Sequence, residues 1–216
     1  MMPITTLPAQ TLSLAAVEAK LGLMQVEEVD IDPLAWFPEW QGELPQLPEA
    51  QRQILDNAKR QFRYLLKYPL NEETVKLVVL SPLLAVAGFY EPPFRIASEP
   101  PVELMVEDGE QLIRGKIDVL VLHQALWVLV IESKRKQLNV IEALPQALTY
   151  MMANPDLEQP RFGLITNGSE FIFIKLAQAE AWRYGFSKMF SLFNPGNELS
   201  EVCGVLRVLG RRAIAP

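Results

Sequence analysis

The sequence predicts an α/β fold organised as one main domain. Three observations carry this: a set of β-rich runs at 96–106, 111–122, 126–134, 161–166 and 170–176, helical apolar spacing at 48–67, 71–84 and 139–152, and a length suited to a single core. A chain of 216 residues that is 50% hydrophobic can bury one sizeable core but not two large ones.

The first fifty residues differ from the rest. They carry one base, Lys20, against eight acids, whereas residues 51–216 carry 19 bases against 18 acids. The formal charge of −6 therefore resides in this segment, and the remainder can still present a local basic face. Leu12 to Leu23 suits an amphipathic helix, and Asp30 to Pro48 suits irregular structure in which Trp36, Phe37 and Trp40 fold back as an apolar clip. Residues 1–50 are thus expected to form an acidic arm packing on a core made by residues 51–216.

From Pro48 to Lys67, Ile54, Ala58, Phe62 and Leu65 recur at helical spacing as a buried stripe, with Arg52, Lys59, Arg60, Arg63 and Lys67 on other, solvated faces. Asn71 is placed to cap a second helix that runs through Glu72, Glu73 and Val75 toward Leu84, kinked or interrupted by Pro82 and stopped by Gly88. The short links between Ile96 to Val106, Gln111 to Leu122 and Leu126 to Lys134 imply an antiparallel meander. Asn139 and Glu142 resemble a capping box for a helix ending near Met152, with Pro145 as the alternative first turn. Asn167-Gly168, between the two β-rich runs that follow, suits a two-residue type I′ hairpin with both residues at positive φ. The stretch beyond Ala177 is ambiguous.

Several function classes are excluded or disfavoured. The one cysteine, Cys203, forms no intrachain disulfide and no cysteine-based zinc knuckle, and fits a small buried residue in a reducing, cytoplasmic setting. With His123 the only histidine, two-histidine metal motifs are ruled out, and its place at a hairpin tip suits a solvated turn. Arg207, Arg211 and Arg212 suit a solubilising basic tail. No run approaches the roughly 18 apolar residues that span a bilayer, so no membrane role is expected. A GxxxxGK[ST] phosphate loop is absent, and with it an ATP-driven motor.

The chemistry concentrates between Arg114 and Lys134. Asp118 lies on a strand whose one face is apolar (Ile113, Ile117, Val119, Val121) and whose other is polar (Arg114, Lys116, Asp118), and the next strand is apolar on both faces until it presents Glu132 and Lys134 on one side. If a three-residue turn, His123 to Ala125, joins these strands, Asp118 faces Val130 and shares a face with Glu132 and Lys134; a two-residue turn puts Asp118 on the opposite face. In the favourable register, two carboxylates and an ammonium converge as phosphodiester hydrolysis requires. Asp118 and Glu132 would offer hard oxygen ligands to Mg²⁺, and Lys134 would orient or deprotonate the attacking water. The competing reading is a salt bridge between Lys134 and a carboxylate without a metal.

Glu72 and Glu73 lie ahead of Pro82-Leu83-Leu84, then come Asp118, Glu132-Ser133-Lys134, Gln146-Ala-Leu-Thr-Tyr150 and Thr166-Asn167-Gly168. This order of motifs resembles the PD-(D/E)xK nuclease superfamily, in particular the N-terminal nuclease domain of type I restriction enzyme R subunits. The resemblance spans about residues 72–176. It implies a restriction-endonuclease-like core, with a mixed central sheet flanked by the 71–84 and 139–152 helices. Asp118 and Glu132 then resemble metal ligands, Lys134 the catalytic lysine, and Ser133 a donor of its backbone carbonyl to the metal. Glu72 or Glu73 would be the helical acid; the spacing to Pro82 favours Glu72, and the choice stays open. Gln146 and Tyr150, four apart on one helix face, would position the site or the DNA backbone, or else form a helix-to-core hydrogen bond.

The resemblance implies a DNA endonuclease using Mg²⁺, with Mn²⁺ as a substitute, acting on DNA and with other restriction-system subunits as candidate partners; the oligomeric state is not implied. A full R subunit continues into a helicase motor, and the acidic first fifty residues match nothing in that family, so a stand-alone or accessory protein is expected. The alternative is a catalytically inactive nucleic-acid-binding or protein-interaction module on the same fold.

Overall fold

The computed structural model describes residues 5–26, 32–98, 100–105, 111–116, 119–123, 126–132, 140–153 and 159–214. Its centre is a β-α-β unit. Strand β7 (Leu126–Glu132) leads into a 3₁₀ turn at Val140–Ala143 and helix α7 (Leu144–Met152), and β8 (Arg161–Thr166) returns parallel to β7. Pro145 stands in the first turn of α7, where its missing N–H costs nothing; Asn139, the expected cap, lies outside the described residues.

Strand β8 is buried along its whole length, as a strand covered on both faces should be. Phe162 and Leu164 face one core with Phe171 and Phe173 of β9 (Glu170–Gln178), while Ile165 faces a second core with Ile172, Ile174 and α7. The alternation places one apolar layer on each side of the sheet. The first core is closed by α4 (Glu49–Leu65), by α5 (Glu72–Val75) continuing through a π-helical turn at Lys76–Leu80 into α6 (Ser81–Ala87), and by α8 (Leu199–Ile214). Pro82 does not break this helix: the wider π turn comes immediately before it, where an α-helical bond from the proline nitrogen cannot form.

The eight-stranded sheet has the order β2 (Leu23–Gln25), β10 (Trp182–Phe186), β9, β8, β7, β6 (Val119–His123), β3 (Arg95–Ser98), and β11 (Phe190–Ser191) also pairs with β9. It is mixed, with β7–β8 and β2–β10 parallel and the other pairs antiparallel. A three-stranded sheet of order β1 (Thr5–Pro8), β5 (Gln111–Lys116), β4 (Pro101–Met105) lies against α7. Two expected strands are therefore split. The 96–106 run divides into β3 and β4 around Pro100 and Pro101, which lack ladder donors, and the 111–122 run divides into β5 and β6, which pair in different sheets.

The N-terminal residues pair and pack with both halves of this frame. Helix α1 (Leu14–Leu21), capped by Ser13 and ended by Gly22 at φ +62°, packs on α7. After α2 (Pro33–Trp36), helix α3 (Pro38–Gln41) brings Trp40 into the first core, stacked on Phe37 at 5.0 Å and on Phe173 at 6.0 Å. Beside it Glu39 is buried, accepting hydrogen bonds from Lys175 Nζ at 3.0 and 3.2 Å and from Arg212 at 2.6 Å.

Some charges expected in solvent have structural work. The buried stripe of α4 is Leu55, Ala58, Lys59 and Phe62, and Ile54 is 46% exposed. Lys59 Nζ donates to the carbonyls of Asn194, at 2.8 Å, and Gly196. Arg207 donates to Gln51 Oε1 and the Val86 carbonyl at 2.7 Å each, so the tail reading of Arg207 and Arg212 is corrected: both tie α8 to the core.

Candidate active site

Strands β7 and β8 run in the same direction, with Glu132 opposite Thr166, the last residue of β8. The carboxyl edge of parallel strands is where open α/β sheets place their ligands. The loop that follows β8 is organised by its own side chains. Thr166 Oγ1 accepts the Gly168 N–H at 2.9 Å. Asn167 Oδ1 accepts the backbone N–H groups of Ser169 at 3.0 Å and Glu170 at 2.9 Å. The expected two-residue hairpin is corrected: the last β8–β9 pair is Thr166 with Phe171, so four residues, Asn167 to Glu170, separate the paired positions, with Gly168 at φ +87°. The Asn167 side chain replaces the ladder bonds that a tighter turn would have made.

This loop meets the acid-bearing helix. A Cβ built on Gly168 would fall well inside contact distance of Val75 Cγ1, with Val75 Cβ at 3.2 Å, so only glycine allows the approach. Asn71 caps that helix, its Oδ1 accepting the Thr74 N–H at 2.8 Å. Glu72 opens that helix, three residues before Val75. Glu73 is 73% exposed and pairs with Lys76 at 3.4 Å.

On the other side of the sheet, Gln146 Nε2 donates to Tyr150 Oη at 2.8 Å, within α7. Tyr150 is 2% exposed, and its ring lies against Gly115 of β5: a Cβ there would sit 2.7 Å from Tyr150 Cε1 and Cζ. Gly115 stands three residues before Asp118. The sequence reading missed its role, although an isolated glycine inside a strand is a signal of close approach.

Asp118, Ser133 and Lys134 lie outside the described residues, as does the side chain of Glu132. The β6–β7 register is described, and it corrects the expected three-residue turn: His123 pairs with Leu126, leaving a two-residue link, and Val119 rather than Asp118 faces Val130. The described rungs of this ladder end at Val119 and Val130, and Asp118 lies outside them. Between Lys116 and Val119 the chain passes from one sheet to the other. Among the described residues no cluster of three or more His, Cys, Asp or Glu could hold a metal.

A mixed sheet with a β-α-β core, flanked by helices and bearing an acid at the end of its parallel strands, defines an α/β protein of the restriction-endonuclease-like class. Residues 36–182 match the type I restriction enzyme R protein N terminus family (HSDR_N), and the chain belongs to that family, a nuclease-like domain of restriction enzymes. A comparison with curated proteins finds no match. Among the described residues no helix is long and apolar enough to cross a membrane.

Proposed function

We propose that this chain is a Mg²⁺-dependent DNA endonuclease that hydrolyses phosphodiester bonds, stand-alone or accessory to a restriction system, with residues 51–216 as its nuclease domain and residues 1–50 as an arm on it. The observation that supports this best is the meeting of the separate motifs around one sheet end: Glu132 is in register with Thr166, the Thr166-Asn167-Gly168 loop is pressed on Val75 of the Glu72 helix, and Tyr150 with Gln146 is pressed on the strand that leads to Asp118.

In this reading Asp118, Glu132 and the Ser133 carbonyl hold the ion, an all-oxygen donor set suited to Mg²⁺ and equally to Mn²⁺. When bound, the ion supplies a Lewis acid that neutralises charge building on the scissile phosphate. Lys134 orients the attacking water and adds positive charge at the same phosphate. Glu72, favoured by its spacing to Pro82, is the helical acid rather than Glu73, which is exposed and paired with Lys76. Gln146 and Tyr150 hold β5, and through it Asp118, in place. Since Asp118 and Glu132 repel each other without a cation, Lys134 also relieves part of that cost.

The two-residue β6–β7 link, in place of the three-residue turn expected for a shared Asp118 and Glu132 face, favours a second reading, an inactive nucleic-acid-binding module on the same fold. Incubation of circular and linear DNA with the pure chain, with and without Mg²⁺, separates the two. The endonuclease reading expects metal-dependent cleavage that Lys134→Ala abolishes while metal and DNA binding persist, and Asp118→Ala losing both metal binding and cleavage. Cleavage by Lys134→Ala at the wild-type rate, or inactivity of the wild type under all conditions, sinks it.

A further inference from the structure

The exposed face of α4 carries a pattern that neither the core nor the proposed catalytic site uses. Arg60, Arg63 and Tyr64 on α4, and Lys67 and Tyr68 in the turn that directly follows it, stand at i, i+3, i+4, i+7 and i+8 spacing and all are exposed. Arg60 donates to Asn57 Oδ1 at 2.6 Å, and Arg63 reaches the Phe193 carbonyl only at 3.4 Å. Among the described residues, none of Arg60, Arg63 and Lys67 is ion-paired to a carboxylate, unlike Arg52, which Glu49 holds at 2.6 Å on the same helix. In a chain of net charge −6, this is a locally basic strip.

Aromatic rings are interleaved with these cations. Tyr64 is 57% and Tyr68 54% exposed, their ring centroids lie 5.8 Å apart, and Lys67 Nζ stands 5.9 Å above the Tyr64 ring. Phe193, on the adjoining loop, is 56% exposed. Between helix and loop lies an open depression of about 420 Å³ lined by Asp56, Lys59, Arg60, Arg63, Gly196 and Asn197.

The strip is joined to the hairpin that follows β8 through the 192–196 loop. Lys59 and Arg63 hold the 193–196 loop, the Leu192 N–H donates to the Ser169 carbonyl at 2.8 Å, and Ser169 follows Gly168 in the hairpin beside Glu132. A chain of direct contacts thus leads from the end of β7 to α4.

We infer that the Arg60–Tyr68 face of α4, with Phe193, binds a single strand of nucleic acid next to the catalytic site, the cations taking phosphates and the rings taking unpaired bases. The inference rests on the nucleic-acid reading above and adds to it the form of the substrate and the surface that holds it. Rings serve a single strand because its base faces are open, whereas a duplex keeps them in its own stack and can engage only the cations.

The test uses the full chain in EDTA, with fluorescein-labelled oligo-dT and a duplex of equal length followed by anisotropy across a salt series. Tyr64→Ala with Tyr68→Ala is expected to weaken oligo-dT binding on the order of tenfold or more and to leave duplex binding unchanged. Arg60→Ala with Arg63→Ala is expected to weaken both, lowering the slope of log affinity against log salt on oligo-dT by roughly 0.7 for each phosphate that is no longer neutralised. Arg52→Ala, whose charge is already paired, is the control and should leave that slope in place. All these positions are exposed, so melting temperatures should match the wild type. Oligo-dT binding unaffected by the tyrosine pair, or an arginine pair no more effective than Arg52→Ala, overturns the inference. Mg²⁺-dependent cleavage measured on the same preparations keeps the two readings apart. Cleavage with an indifferent α4 face sinks this inference alone, and the expected binding pattern without cleavage sinks the endonuclease reading while the face stands.

Discussion

Replacing Gly168 by alanine should damage the protein in a way that a second substitution repairs. At φ +87° a Cβ costs roughly 1–2 kcal/mol by itself. The same Cβ would penetrate Val75 Cγ1 and stand 3.3 Å from Cγ2, and Val75 is buried in the first core, so the helix must shift at an overpacking cost of about 1–3 kcal/mol. Gly168→Ala alone should therefore lose roughly 2–5 kcal/mol. Val75→Ala removes two methyl groups and should lose about 1–2 kcal/mol. In the double variant both clashing methyls are gone and the nearest atom is Val75 Cβ at 3.2 Å, so the overpacking part disappears and the losses should fall short of their sum by about 1–3 kcal/mol. Urea denaturation of the four proteins measures this coupling, with unchanged m values as the check that unfolding exposes the same surface. Losses additive to within about 0.5 kcal/mol would refute the contact, and with it the joining of the acid-bearing helix to the hairpin.

Glu39→Gln should lose about 3–5 kcal/mol at neutral pH, because it leaves the Lys175 ammonium buried without its counter-charge. Burial already lowers the Lys175 pKa, so the cost of keeping it charged is greatest at pH below its folded value and shrinks as rising pH neutralises it. A melting temperature equal to wild type, or a loss that grows with pH, would contradict this. Burial pushes the Cys203 thiol up to about 11 from its ordinary 9.0, so the native thiol should resist iodoacetamide just above neutral pH. Stability should fall by roughly 2–3 kcal/mol as pH climbs from 9.0 past 11, because the unfolded thiol ionises first; Cys203→Ala should remove that dependence, and fast labelling of the native chain would rule the account out. Gln146→Ala, which takes away the donor to Tyr150, should cost about 1 kcal/mol and lower cleavage at saturating DNA, whereas an unchanged turnover would mark the pair as packing only.

Much of the frame was legible because its signals are local. The apolar run ending at Glu132, the run ending at Thr166 and the Asn71 cap each appear where spacing and residue type place them. Sheet membership was not legible: strand propensity at Gln111–Lys116 and Val119–His123 is alike, yet the two pair in different sheets. Cations with structural partners were misread as merely solvated because those partners are remote in sequence; the buried Lys59 is satisfied by carbonyls 135 and 137 residues away, and the exposed Arg212 bonds a buried carboxylate 173 away. In the candidate site the order of motifs was readable, but their meeting depends on the absent side chains of Gly168 and Gly115, which no periodicity reports. The β6–β7 link hinged on one residue of loop length, which apolar alternation on a strand buried on both faces does not specify.

The most direct test is a crystal of the chain soaked with Mn²⁺. The endonuclease reading predicts anomalous density between the carboxylates of Asp118 and Glu132, with Lys134 on the same side and the Glu72 helix beside it. Density absent from Glu132, or an Asp118 carboxylate projecting from the face opposite Glu132, would contradict it.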